Sequence, residues 1–161
     1  MFKNNAKILI VLTLSILMFG CELQENYTLT KTSLELQSIQ MREFDASYKT
    51  AFASTLSVFQ DKGYVIVTAD SATGFITVAS PKNNKYNWFL GENKMDSTRA
   101  TAFIEAMPSK KIAIRLNFVN YQEISSAYGS KSQNSVPIED PKFYQGIFEK
   151  IQKAIFVRTN R

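Results

Sequence analysis

Between Lys111 and Tyr121 the chain alternates, with Ile112, Ile114, Leu116 and Phe118 on one side and Lys111, Arg115 and Asn117 on the other. A period of two with one apolar face marks a half-buried antiparallel strand, and that face demands an apolar cover. Two segments can supply it. Tyr48, Phe52, Thr55, Leu56 and Phe59 recur at helical spacing, after Asp45 or Ser47 as N-cap and before Gly63 as a left-handed C-cap residue. Near the end, Asp140-Pro141 pairs a cap with proline at the first helical position. Phe143, Ile147, Ile151, Ala154 and Ile155 follow, with Tyr144 and Phe148 beside them, as a wide stripe suited to packing on a sheet.

The remaining segments supply more strands. Leu36 to Phe44 alternates around Ile39 and Met41 and predicts a strand. Tyr64 to Ala69 and Phe75 to Ala79 predict a hairpin about the turn Asp70-Ser71-Ala72-Thr73-Gly74. Pro81 to Lys85 reads as a second turn, Tyr86 to Leu90 as a short strand, and Gly91 to Asp96 as a break. Thr98 to Met107 and Lys111 to Tyr121 are longer strands joined by Pro108-Ser109-Lys110, and Gly129 to Ser135 reads as a low-complexity, mobile loop. The expected class is α+β: one two-layer sandwich, a mainly antiparallel sheet with two helices packed on one face. The other face, or the strand edges, would then be free for a partner.

The N-terminus bears on location. Lys3 and Lys7 precede an apolar run from Ile8 to Phe19, then Gly20 and Cys21, the chain's only cysteine. A run of about a dozen residues is too short to span a bilayer and has the layout of a secretory signal. Leu17-Met18-Phe19-Gly20-Cys21 resembles the lipobox of bacterial lipoproteins, with Met18 where leucine is usual. The resemblance implies removal of residues 1–20 and acylation of Cys21, and two or three acyl chains anchor stably. Residues 21–35, polar and without clear period, read as a flexible tether, ~50 Å at full stretch and nearer ~20 Å on average. Residues 36–161 are the expected domain, large enough for its own core. Glu22 stands where aspartate favours inner-membrane retention in enterobacterial lipoproteins, so the resemblance implies the outer membrane, facing the periplasm.

The chemistry is sparse. The chain has no histidine, which removes the commonest general base and transition-metal ligand. Once Cys21 is acylated no thiol remains for a disulfide or thiolate metal site. No Ser-x-x-Lys, Gly-x-Ser-x-Gly or phosphate-cradling glycine spacing occurs. Asp140, next to Glu139, is explained as a cap, and Asp61 and Asp70 have structural readings too. The expectation is no catalytic, cofactor or metal site. Formal charge falls from +5 to +3 when Lys3 and Lys7 leave with the leader, with no basic cluster of the kind nucleic acid requires. Tyr86, Trp88 and Phe89, flanked by Lys82, Lys85 and Lys94, form the one aromatic group with a basic rim. They suit a protein partner or lipid headgroups, although Trp88 and Phe89 read first as core residues on a strand, as do Tyr121 and Tyr128 at a strand end.

Three stretches together resemble a group of small bacterial envelope lipoproteins of unassigned role: Ile39 to Asp45 running into the first helix; Leu56 to Tyr64-Val65-Ile66 with Asp70 to Thr77; and Asp140 through Phe148 to Phe156. The element order is also similar to the helix-grip domains of the accessory lipoprotein of the outer-membrane β-barrel assembly machinery, which has two such domains where this chain has room for one. The resemblance implies a non-catalytic accessory or assembly subunit of an envelope complex. The alternative is a periplasmic lipid or small-molecule binding module, with a cavity of roughly 300 Å³ or more between sheet and helix.

Overall fold

The computed structural model describes residues 31–127 and 129–160. The expected leader, Cys21, most of the tether and Tyr128 lie outside the described residues. Among the described residues the fold is α+β, with three helices and seven strands in one sheet.

Helix α1 (Ser33–Gln40) begins on a capping box: Thr32 Oγ1 accepts from the Glu35 N–H (3.3 Å), and Glu35 Oε2 accepts from the Thr32 N–H (2.7 Å). Strand β1 (Met41–Phe44) follows directly. The strand expected from Leu36 to Phe44 is therefore a helix for its first half, and α1 starts inside the expected tether. Leu36, Ile39 and Gln40 are its partly buried positions, at helical spacing. The alternation around Ile39 and Met41 was too short to outweigh the local cap.

Helix α2 (Tyr48–Asp61) is capped by Ser47, whose Oγ accepts from the Thr50 N–H (3.1 Å), and Gly63 at φ +82° follows it. Strands β2 (Val65–Asp70) and β3 (Phe75–Ala79) form the expected hairpin. In its turn Asp70 accepts from the Ala72 N–H and the Thr73 hydroxyl, which together hold its carboxyl below the usual range. Gly74 sits at φ +80°, where a Cβ would lie 2.2 Å from the Ile104 carbonyl oxygen. Helix α3 (Pro141–Thr159) starts as expected, with Asp140 accepting from the Lys142 N–H (3.0 Å).

Three further expectations change. Strand β4 runs from Asn83 to Asn87, earlier than expected, and places Trp88 to Leu90 in a turn. Strand β5 (Glu92–Ala106) begins where a break was expected, and β6 (Ile112–Ser126) runs past Tyr121. The supposed mobile loop contributes β7 (Lys131–Pro137). Asn, Gln, Ser and Lys dominate these added segments, so their own preferences are weak; pairing with a neighbour decides them.

All six strand pairs are antiparallel. The sheet runs β1-β6-β5-β3-β2, with β4 added to β5 and β7 to β6. β5 and β6, of 15 residues each, pair from Glu92–Ser126 to Ala106–Ile112. Their outer edges change partners midway. On β5, residues 99–103 carry β3 and residues 92–96 carry β4; on β6, residues 112–115 carry β1 and 119–125 carry β7. One half is thus a body of β2, β3, β5, β6 and β1, and the other a wing of β4, β5, β6 and β7.

The body contains the core. Ile76, Val78, Ala100, Ala102, Ile104, Ile112, Ile114, Leu116 and Phe118, all even-numbered, cluster with Ala51, Val58 and Phe59 of α2 and with Tyr144, Ile147, Phe148, Ile151 and Ile155 of α3. Phe118 is the hub, with ring centroids of Phe143, Tyr144, Phe59 and Tyr64 at 4.9, 5.7, 6.1 and 6.1 Å, all edge-on. Such pairs add about 0.5–1.5 kcal/mol each beyond area burial.

Where body passes into wing, both edges of the central hairpin would expose unpaired backbone. On β5, Ser80 closes the gap: its N–H donates to the Thr98 carbonyl (2.7 Å) and its Oγ accepts from the Thr98 N–H (2.8 Å). On β6, the buried Tyr144 hydroxyl accepts from the Phe118 N–H (3.3 Å) and from Gln40 Nε2 (3.2 Å), while the Ile138 N–H donates to the Phe118 carbonyl (2.9 Å). Side chains complete the ladder where no strand does.

Tyr144→Phe leaves the Phe118 N–H without its acceptor and should cost about 1–3 kcal/mol in urea unfolding; an unchanged midpoint would show the bond to be dispensable. Burial, and secondarily the charge of Glu139, raises the Tyr144 phenol above 10.0, and burial raises Tyr64 likewise. A folded value above the unfolded one means a contribution that is whole below about pH 10 and is lost as pH rises through the folded values. Unfolding free energy should therefore fall in the alkaline range, and Tyr64→Phe should flatten that fall. Gly74→Ala combines a left-handed backbone with the Ile104 collision and should cost about 2–4 kcal/mol. Ser54 is buried, and its hydroxyl has no partner among the described residues; Ser54→Ala should be neutral or stabilising in the same assay.

Candidate functional site

The wing is held differently from the body. Neither β4 nor β7 contributes a residue to the buried core. Polar cross-strand contacts serve instead: the Thr98 hydroxyl donates to Asn120 Oδ1 (2.8 Å), and Gln122 Nε2 donates to Asp96 Oδ1 (3.1 Å).

At the far end lies the β4–β5 turn. Asn87 pairs with Glu92, and its Oδ1 accepts from the Phe89 N–H (3.1 Å), fixing the start of the loop; Gly91 at φ +61° closes it. The β6–β7 turn abuts it, with the Ala127 N–H donating to the Gly91 carbonyl (2.8 Å). On this braced end stand Tyr86, Trp88, Phe89 and Leu90, exposed by 68%, 77%, 79% and 60%. The Trp88 and Phe89 rings meet edge-on at 4.8 Å. The core reading of Trp88 and Phe89 is thereby overturned: β4 ends before them, so they ride on its turn. The three residues singled out as a contact group do come together in one place.

Lys85 and Lys94 are direct cross-strand partners at the base of this tip. Like charges opposite one another weaken a sheet. Glu92 and Asp96 share their face, and Asp96 is engaged by Gln122. Among the described residues the single ion pair lies elsewhere, between Lys111 and Glu43 (3.4 Å).

A second exposed apolar group lies on the odd-numbered face of the body, which the core does not use. Phe75 and Phe103 are cross-strand partners with ring centroids 4.6 Å apart, and Phe75 remains 51% exposed. Val65 and Val67 on the β2 edge are also exposed. Nothing in the sequence separated these positions from core residues, because strand periodicity does not say which face is covered.

Pockets open on the outside of the molecule. One of about 220 Å³ lies between β3 and the wing, where Arg99 stacks over Tyr121 at 5.3 Å and Lys82, Glu123 and Gln133 contribute polar groups. Another, of about 510 Å³, lies between α2 and α3, lined by Lys62, Lys150, Lys153 and Arg158 with Asp61. There Arg158 donates to the Ala53 carbonyl (3.3 Å) and to Ser57 Oγ. The carboxylates considered from sequence are dispersed: Asp61 in that groove, Asp70 in a turn, Asp140 at a cap and Glu139 in the interior near Tyr144. Among the described residues no three acidic side chains gather, and no helix is long and apolar enough to cross a membrane.

No family model matches the chain, and no curated protein matches it.

Double substitution Trp88→Ser/Phe89→Ser should leave the unfolding free energy within about 0.5 kcal/mol of the parent, as for exposed positions, whereas Phe118→Ala should cost about 3–5 kcal/mol. A large loss from the turn variant would return those rings to a structural role.

Proposed function

We propose that this chain is a non-catalytic lipoprotein, anchored through Cys21 to the outer membrane facing the periplasm, and that it serves as an accessory or assembly subunit of an envelope complex. On this reading the domain is a helix-grip-like two-layer sandwich: the even-numbered face of the sheet holds the helices, and the odd-numbered face is offered to a partner. The observation that carries the proposal is the Phe75–Phe103 pair on that second face, with Phe75 half exposed on the strand next to the open β2 edge. An aromatic patch with Arg115 beside it has the composition of an interface centre. A ligand cavity between sheet and helices has less support, because Phe59, Phe118, Tyr144, Phe148 and the isoleucines of α3 fill that space.

Cross-linking of tagged full-length protein in its native cells, followed by mass spectrometry, should capture a stoichiometric envelope protein. Cys21→Ala should release the domain from the membrane fraction and lose that partner. Phe75→Lys should lose it while keeping both membrane retention and thermal stability. Failure to capture any reproducible partner with the parent protein would sink the accessory-subunit reading.

A further inference from the structure

The wing tip differs from the odd-numbered face in shape and surroundings, and that difference points to another kind of partner. Phe75 and Phe103 lie within a sheet, where a second protein can pack flat against them. Trp88, Phe89 and Leu90 are the convex end of a narrow four-stranded ribbon whose strands are polar behind them. A protein would need a deep socket to bury such an end, whereas a bilayer makes no demand of shape. Tryptophan, phenylalanine and leucine with lysines just behind them is the composition that settles at a membrane interface.

We infer that Trp88, Phe89 and Leu90 insert into the interface of an anionic bilayer, with Lys85 and Lys94 at headgroup level. The Lys85–Lys94 pairing, unfavourable in the isolated sheet, becomes favourable when both ammonium groups face phosphate. Lys131, paired with Ser125 beside the same end, adds a third cation; Glu92, Asp96 and Glu123 are the acids of this end of the wing. The inference rests on the reading of the chain as membrane-anchored: about ten residues separate Cys21 from Lys31, ~35 Å at full stretch, which keeps the domain near the surface. The anchor holds the domain at the surface, and the tip sets how it faces that surface.

Trp88 is the chain's only tryptophan, so the site carries its own reporter. Full-length protein purified with its lipid, and full-length Cys21→Ser, would be mixed with phosphatidylethanolamine vesicles with and without phosphatidylglycerol. Flotation, Trp88 emission, and quenching by brominated acyl chains or aqueous iodide would be read together. With phosphatidylglycerol present, emission should shift to the blue, brominated chains should quench it and iodide should not. Phe89→Asp, which keeps the reporter and alters only an exposed side chain, should abolish the shift. Lys85→Gln and Lys94→Gln should each weaken anchor-independent partitioning by about fivefold. Protein that floats through Cys21 while Trp88 stays open to iodide would overturn the inference, leave the anchor standing and reassign the tip to a protein socket. Blue-shifted, bromine-quenched Trp88 with flotation indifferent to Cys21 would uphold the tip and defeat the anchor. Neither flotation nor a shift would defeat both.

Discussion

The ladder between β5 and β6 is the constraint from which the rest of the molecule follows. Fifteen consecutive pairings make one continuous ribbon, roughly 50 Å long at the usual rise per residue. No single strand flanks it end to end on either edge. Each edge is shared by two shorter strands, and each junction requires a special solution: Ser80 on one side, Tyr144 with Ile138 on the other. Phe118 stands at the second junction with its backbone held by those groups and its ring at the centre of the aromatic cluster. The helical layer and the strand exchange are thus secured at one residue.

The legible parts of this fold were those where burial imposes a period. α2, α3 with its Asp140-Pro141 start, the β2–β3 hairpin and the even-numbered core face of β6 all carry apolar residues at regular spacing, because each has one face in the core. The wing was not legible for the converse reason. Asn83 to Asn87 is exposed throughout and Lys131 to Pro137 is partly buried only at Val136 and Pro137, so their sequences resemble loops and only the neighbouring strand makes them β. At α1 the signal was the Thr32–Glu35 capping box, which the reading of residues 21–35 as a tether passed over. The aromatic group at Tyr86, Trp88 and Phe89 stands out by composition but was placed wrongly by element, since a shift of β4 by a few residues moves Trp88 from strand to turn. Phe75 and Phe103 were missed altogether, because an apolar residue on a strand reads as core until the covering layer is known.

The body spends its apolar residues on stability, and the wing exposes its own. Trp88, Phe89 and Leu90 contribute little to holding the fold together, and the lysine pair behind them works against it.

Because the wing and body share the same two strands, no hinge separates them, and the wing's length is set in discrete steps. Adding a single residue to β5 and β6 would turn every outward side chain beyond it to the opposite face. Growth or shortening must therefore come in pairs, in β5 and β6 together, each step moving the tip by about 7 Å. The stand-off between tip and helical layer is a ruler with coarse graduations, so a relative of this protein working at a different height should differ by even numbers of residues at matched places in both strands.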